Sequence, residues 1–284
     1  STEIVFATNN RGERLHTTDN VVRALTSSAE WRENIRLSDL DGEVKMMRAP
    51  EWDEDMAPAA SVEVFPRSMT ESDVSRLGIW LDRRYMIRPS KPSLFDAIGV
   101  VAERYRFHPI RAYLSGLDWD GVQRIERWLA TYLGVLDSPI ARIAGPWWLA
   151  QAVKRVMEPG AKADYVVVLE GLQGAGKSTS LEMLCPDRDW FMDSHVDLSG
   201  GRDGPIGLRG KWICEFGELA SMERVSPEQL KSFLSRRTDR YRPVFGRLSV
   251  DVPRQSVFAG TTNEVEYLRD DTGGRRFWPV VVGK

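Results

Sequence analysis

The chain has 284 residues, enough for one or two domains at about 150 residues each, and 42% hydrophobic with 28% charged residues is ordinary for a globular protein. Disordered, collagen-like and low-complexity classes are thereby excluded. No apolar run approaches the ~20 residues of a membrane helix, and Ser1–Asn10 lacks the basic start and apolar stretch of a signal peptide. Cys185 and Cys214 have no metal-ligand spacing, which argues against a disulfide scaffold or a zinc module, so a cytoplasmic protein without a membrane partner is expected.

Net charge is −2, but residues 231–284 hold 11 Lys/Arg against 6 Asp/Glu. Such a basic third suits an anionic partner or a solvated face equally.

In chain order, Ile35–Leu37 and Val44–Met47 flank Asp41-Gly42 and predict a hairpin. Residues Ala49–Arg67 read as an irregular connection. Thr70 with Asp73 three residues on marks a helix start, followed by Val74, Leu77, Ile79, Trp80 and Leu81 at helical spacing. Further helices are expected over Leu94–Arg106, Ile110–Leu117, Val122–Leu133 and Pro139–Met157. Trp80, Trp119, Trp128, Trp147 and Trp148 are assigned to the core. His16, His108 and His195 are read as structural.

After Glu158-Pro159-Gly160 the pattern changes. Tyr165–Leu169 is a β-branched run of the kind buried on both faces of a sheet, and shorter runs follow at Trp190–Met192, Lys211–Phe216, Gln255–Ala259 and Phe277–Val282. Helices at Lys177–Leu184 and Pro227–Ser235 separate some of them, the latter opened by Ser226-Pro227. The alternation predicts a largely parallel sheet with helices on both faces. The expected division is a mainly helical N-terminal domain with a small β element, 1–137, and an α/β domain, 138–284.

Gly171-Leu172-Gln173-Gly174-Ala175-Gly176-Lys177-Ser178 matches G-x-x-x-x-G-K-[ST] directly after a strand and at the start of a helix. Glycines let the backbone turn its N–H groups onto phosphate oxygens. Lys177 can reach the β- and γ-phosphates and Ser178 can ligate Mg²⁺. The motif, extended through Thr179, makes the second domain an α/β P-loop NTPase with ATP and Mg²⁺ as cofactors.

The remaining chemistry needs a carboxylate near the metal and a group that handles the attacking water. Trp212–Cys214 leads into Glu215, with Glu218 three residues later. Glu215 is assigned to the metal and Glu218 to water activation, although either acid suits either task. Asn263 ends the apolar strand Val257–Ala259 and can position water if that strand adjoins the phosphate loop; the alternative is a simple strand cap. Arg275 and Arg276 are equal candidates for an arginine inserted into a neighbouring subunit's site. Arg240, Tyr241, Arg242, Phe245 and Arg247 read as a basic hairpin able to grip phosphates and stack on bases, or as an ordinary hairpin with inward aromatics.

Glu158–Gly160, Gly171–Ser178, Trp212–Leu219, Leu230-Lys231, Asp239–Arg242, Pro253-Arg254, Gly260–Asn263 and Asp271–Pro279 occur in an order that resembles the virulence-associated protein E family. Phe107–Arg111, Leu117–Gly121 and Arg124 extend the likeness into the N-terminal half. The family comprises phage- and island-encoded P-loop proteins similar to superfamily III helicases. The resemblance implies an AAA+-like ATPase core in a replication protein, often beside a primase module. By position, Lys177 and Ser178 would form the first nucleotide motif, Glu215 the second, Asn263 the sensor, and Arg275 or Arg276 the finger. The hairpin would face single-stranded DNA in the channel of a homo-oligomeric ring, six subunits in the family's manner. The Glu-x-x-Glu spacing departs from the adjacent acids expected there. The absence of an initial Met, and the stop soon after Val282, lead us to expect a fragment of a longer protein. The rival readings are a nucleotide-gated interaction protein and a small-molecule P-loop kinase.

Overall fold

The structure is a computed structural model and describes residues 4–52, 64–193, 207–217, 227–241, 249–263 and 274–283. Glu218, Arg242, Phe245, Arg247 and His195, singled out above, lie outside the described residues. The chain divides into two compact units, Ser1–Ala112 and Tyr113–Lys284.

The first unit combines helices α1 (Thr18–Ser27), α2 (Glu71–Tyr85) and α3 (Lys91–Arg104) with a small antiparallel sheet of β1 (Ile35–Leu37), β2 (Val44–Met46) and β3 (Arg67–Ser68), in the order β1-β2-β3. Helix α2 starts where the sequence signal places it. The Thr70 side chain accepts from the Asp73 N–H and Asp73 reaches back to the Thr70 N–H, a reciprocal capping box that satisfies two otherwise orphaned donors. Asp73 is also gripped by both terminal nitrogens of Arg67, at 2.7 and 2.9 Å. Burial works against its ionised form, but the hydrogen bonds from Arg67 and Thr70 prevail and hold its carboxyl below the usual value. Trp31, Leu77, Trp80, Leu81, Ile98 and Val101 build the core, with the Trp31 and Trp80 rings edge to face at 5.8 Å.

Helix α4 (Pro109–Ser115) is followed by α5 (Trp128–Leu133) and α6 (Pro139–Met157). The helix expected from Val122 begins only at Trp128, preceded by a single 3-10 turn, Ile125–Arg127. Asp120 is the reason: it accepts the Val122 N–H at 3.0 Å and pairs with Arg124 at 2.7 Å, while Gly121 sits at φ +83°. A side chain that bonds the backbone two residues on stabilises a turn in place of a helix. The boundary expected at 137/138 falls between α5 and α6, whose Trp128 and Trp148 rings stack at 6.4 Å within the second unit.

Two tryptophans depart from their core assignment. Trp119 is 75% and Trp147 59% exposed, whereas Trp80, Trp128 and Trp148 are buried. Adjacent helix positions point about 100° apart, so burying Trp148 turns Trp147 outward; Trp119 lies in the turn before α5, its Nε1 donating to the Val122 carbonyl.

The second unit is organised by a five-stranded sheet of β4 (Val166–Glu170), β5 (Phe191–Met192), β6 (Ile213–Phe216), β9 (Val257–Thr262) and β10 (Phe277–Val281), ordered β10-β4-β9-β6-β5, every pair parallel. The continuous apolar runs follow from this topology, because β4, β6 and β9 are buried along almost their whole length. Pro279, which lacks an N–H, is tolerated because β10 is an edge strand. Helices α6 and α7 (Lys177–Glu182) flank the sheet, and α8 (Pro227–Ser235) adds Phe233 to the ring cluster with Phe216 and Phe258. A separate antiparallel pair, β7 (Thr238–Tyr241) with β8 (Val250–Pro253), forms the expected hairpin stem. This is an α/β fold of the P-loop type, preceded in the chain by a largely helical N-terminal part. Both cysteines are buried and free, and burial pushes each thiol up to about 12. Neither is a nucleophile at neutral pH.

Candidate nucleotide site

All five parallel strands deliver their carboxyl ends to one edge of the sheet, where ligands bind in open α/β folds. β4 runs out at Glu170, and the loop 171–176 returns into α7. Gly174 and Gly176 adopt φ +83° and +74°, in the left-handed region that residues with a Cβ avoid. No atom lies within 4 Å of a Cβ built at either position. Backbone conformation, rather than space, therefore demands glycine there.

Lys177 is 8% exposed and curls over the loop. Its ammonium donates to the carbonyls of Gly171 and Leu172 at 2.8 and 2.9 Å and to Asn263 Oδ1 at 2.8 Å, which fills its three donors. Asn263 follows β9, and β9 lies directly between β4 and β6; the adjacency on which its sequence reading depended is present. Next to it, Glu215 is 3% exposed and its Oε1 accepts from Ser178 Oγ at 2.6 Å and from Thr261 Oγ1 at 2.5 Å.

These groups line a cleft of about 440 Å³, whose walls are residues 173–179, Asp193, Glu215, Gly217 and residues 261–263. Gly171 and Leu172 complete the loop through their carbonyls. The structure thus brings together Gln173, Gly174, Ala175, Gly176, Lys177, Ser178, Thr179, Glu215 and Asn263 from the sequence analysis, drawn from the loop and helix after β4, from β6 and from the end of β9. It adds Thr261 and Asp193, which sequence reasoning missed. Thr261 sits in the same polar strand end as Asn263, and only the sheet register aims it at Glu215. Asp193 follows β5, the strand paired with β6.

The hydroxyl of Ser178 beside one carboxylate is a hard-oxygen set suited to Mg²⁺, which binds through few carboxylates and keeps other positions for water and phosphate oxygens. Among the described residues no cluster of three or more His, Cys, Asp or Glu is able to hold a metal alone. The donor set therefore fits a metal that arrives with its phosphates.

The two arginines separate. Arg275 is exposed, whereas Arg276 is engaged within its own chain, its Nη2 donating to Ser235 Oγ at 3.2 Å and its Nε standing 3.6 Å from Asp164. Both sit in the 3-10 turn Gly274–Arg276, just before β10, at the edge of the sheet opposite the cleft. On the hairpin stem, Arg240 is 73% exposed and 3.8 Å from Asp251 across the ladder; Tyr241 pairs with Val250 through the backbone.

Among the described residues no helix is long and apolar enough to cross a membrane. No curated protein matches the chain. Two solved structures of the NrS-1 C-terminal region share its fold: an A-form apo structure of residues 305–718 at TM-score 0.52 and 12% identity, covering 94% of this chain and 61% of that one, and an apo structure of 305–718 at TM-score 0.50 and 13% identity, covering 88% and 58%. The chain spans about three-fifths of their length. The profile of the virulence-associated protein E-like domain matches residues 114–284, a stretch that coincides with the second compact unit and contains the whole cleft. The chain belongs to the virulence-associated protein E-like family.

Proposed function

We propose that the chain is the Mg²⁺-dependent ATPase portion of a phage or mobile-element replication protein, acting as a ring-forming helicase or translocase on single-stranded DNA. One observation carries the reading: Lys177 and Ser178 at the start of α7, Glu215 on β6 and Asn263 just after β9 converge on a single cleft beside a glycine loop.

In this reading Lys177 exchanges its carbonyl partners for the β- and γ-phosphate oxygens. Ser178 and Glu215 would hold the Mg²⁺, which would neutralise charge on the triphosphate. Thr261 fixes the Glu215 carboxylate by donating to it. Asn263, next to the ammonium, orients water toward the γ-phosphate, and Glu218 takes the proton from that water.

Arg275 completes the site in trans. β10 runs parallel to β4 with Phe277 level with Val166 and Val281 level with Glu170. The arginine turn is therefore on the order of 15 Å from its own phosphate loop at ~3.3 Å per residue, too far to serve it. An exposed arginine at that edge suits a neighbouring copy's nucleotide, which requires a homo-oligomer, a hexamer by family likeness. Arg240, Tyr241, Arg242, Phe245 and Arg247 would contact the DNA.

The test is ATP hydrolysis with and without single-stranded DNA, together with particle mass and strand displacement. Hydrolysis that rises with DNA in a ring-sized particle supports the motor. ATP-dependent partner binding without displacement would replace it with a switch, and phosphorylation of a metabolite with flat DNA response would replace it with a kinase.

A further inference from the structure

The β7–β8 hairpin is anchored at its base by buried charge. Asp239 receives a two-pronged grip from Arg254, at 2.8 and 2.6 Å, with the side chains 6% and 1% exposed. Arg254 also donates to the Phe233 carbonyl at 2.6 Å and lies over the Phe233 ring. Arg237 Nε donates to the Gly160 carbonyl at 2.6 Å, and backbone bonds run from Arg254 to Arg237 and from Gly160 to Arg254. Residues 235–239 are thereby tied to the connection between α6 and β4. That connection also holds Asp164, the partner of Arg276, whose other contact is Ser235.

Arg155 of α6 stands between these anchors. It is fully buried, and its Nη2 donates to the Arg236 carbonyl at 3.4 Å. Its Nε and Nη1 have no hydrogen-bond partner among the described residues. The groups that face it are the carboxylates of Asp239 and Asp164 and the guanidiniums of Arg254 and Arg237. Burial, reinforced by Arg254, pushes the Arg155 guanidinium down to about 10, which leaves it a cation at neutral pH. A buried cation with two unbonded nitrogens is costly. Two carboxylates from different parts of the chain contribute to the field on it, Asp239 of the hairpin and Asp164 of the α6–β4 connection, the latter 3.6 Å from Arg276 Nε. Charges this close in a low-dielectric interior act on one another strongly.

We propose that Arg155 is a positioning residue that couples the β7–β8 hairpin to the Gly274–Arg276 turn, so that DNA held by the hairpin adjusts the arginine offered to a neighbouring nucleotide site. This deepens, and rests on, the reading of the chain as a DNA-stimulated ATPase with a trans arginine.

The test uses the whole chain with Arg155→Lys, which keeps the charge but loses the planar fork, and Arg155→Gln, which removes the surplus cation and with it the folding hazard. Hydrolysis is measured with and without single-stranded DNA, and amide exchange is followed over residues 274–277. We expect both variants to keep basal hydrolysis within about twofold and to lose roughly 5-fold or more of the DNA stimulation, the scale of ordinary coupling between sites. DNA should slow exchange in the 274–277 turn of the parent chain and leave it unchanged in the variants. An undiminished ratio of stimulated to basal rate overturns the coupling, as does a parallel fall of both rates with a lowered Tm, which marks Arg155 as merely structural. A parent chain with no DNA response overturns the functional reading itself, and the coupling falls with it.

Discussion

Lys177→Ala separates a nucleotide cleft from a polar hollow. In the structure the ammonium rests on two backbone carbonyls and one amide oxygen, all neutral acceptors at the edge of an open cleft where water can replace it. Losing it should therefore leave Tm within a few degrees. On nucleotide binding, two of those bonds exchange a neutral acceptor for a charged phosphate oxygen, so that both partners are ionised. Pairing the ammonium with a charged instead of a neutral acceptor gains roughly 1–1.5 kcal/mol per bond. The variant should then bind ATP about 30- to 150-fold more weakly, at ~1.4 kcal/mol per tenfold. Hydrolysis at saturating ATP should fall by a further factor of about 10²–10³, the usual cost of removing one fixed electrostatic contact to the transition state. Calorimetric titration and a phosphate-release assay read the two effects separately. Hydrolysis within tenfold of the parent, in a variant with unchanged Tm, would refute the placement of the γ-phosphate at Lys177.

Thr261→Val deletes the hydroxyl that orients Glu215. We expect a stability loss of about 1 kcal/mol by urea unfolding and a higher Mg²⁺ concentration for half-maximal hydrolysis; an unshifted Mg²⁺ dependence would show that Glu215 needs no such support. In the first unit, the lowered pKa of Asp73 means that its stabilisation is present above its ordinary value of 3.8 and is lost as pH falls through the lower folded value. Urea midpoints should drop over that acid range, and Asp73→Asn should flatten the drop; a variant as acid-sensitive as the parent would contradict this. Arg240→Ala should weaken single-stranded DNA binding uniformly across sequences and reduce the steepness of its salt dependence by about one ion, whereas an unaltered salt slope in filter binding would take Arg240 off the DNA.

The phosphate loop was legible from the chain alone because its chemistry is local. Gly174, Gly176, Lys177 and Ser178 are neighbours in sequence, and the glycine turn proposed to cradle phosphate is made by consecutive backbone units. The same holds for the Thr70–Asp73 cap and for the buried strands, whose β-branched runs record that both faces of the sheet are covered. Strand order was another matter. Lys177 meets Asn263 across 86 positions and Thr261 meets Glu215 across 46, and these contacts exist only because β9 inserts between β4 and β6. The sequence could not distinguish Arg275 from Arg276, since two adjacent guanidiniums have the same local pattern; a buried carboxylate at Asp164 and a hydroxyl at Ser235 claimed one of them. Arg155 carried no signal at all, because an arginine next to Lys154 in the last turn of a helix reads as a solvated charge until the packing around it shows that it is not. Chemistry held within one turn of backbone is written in the chain, whereas chemistry shared between strands waits on the order in which the sheet assembles them.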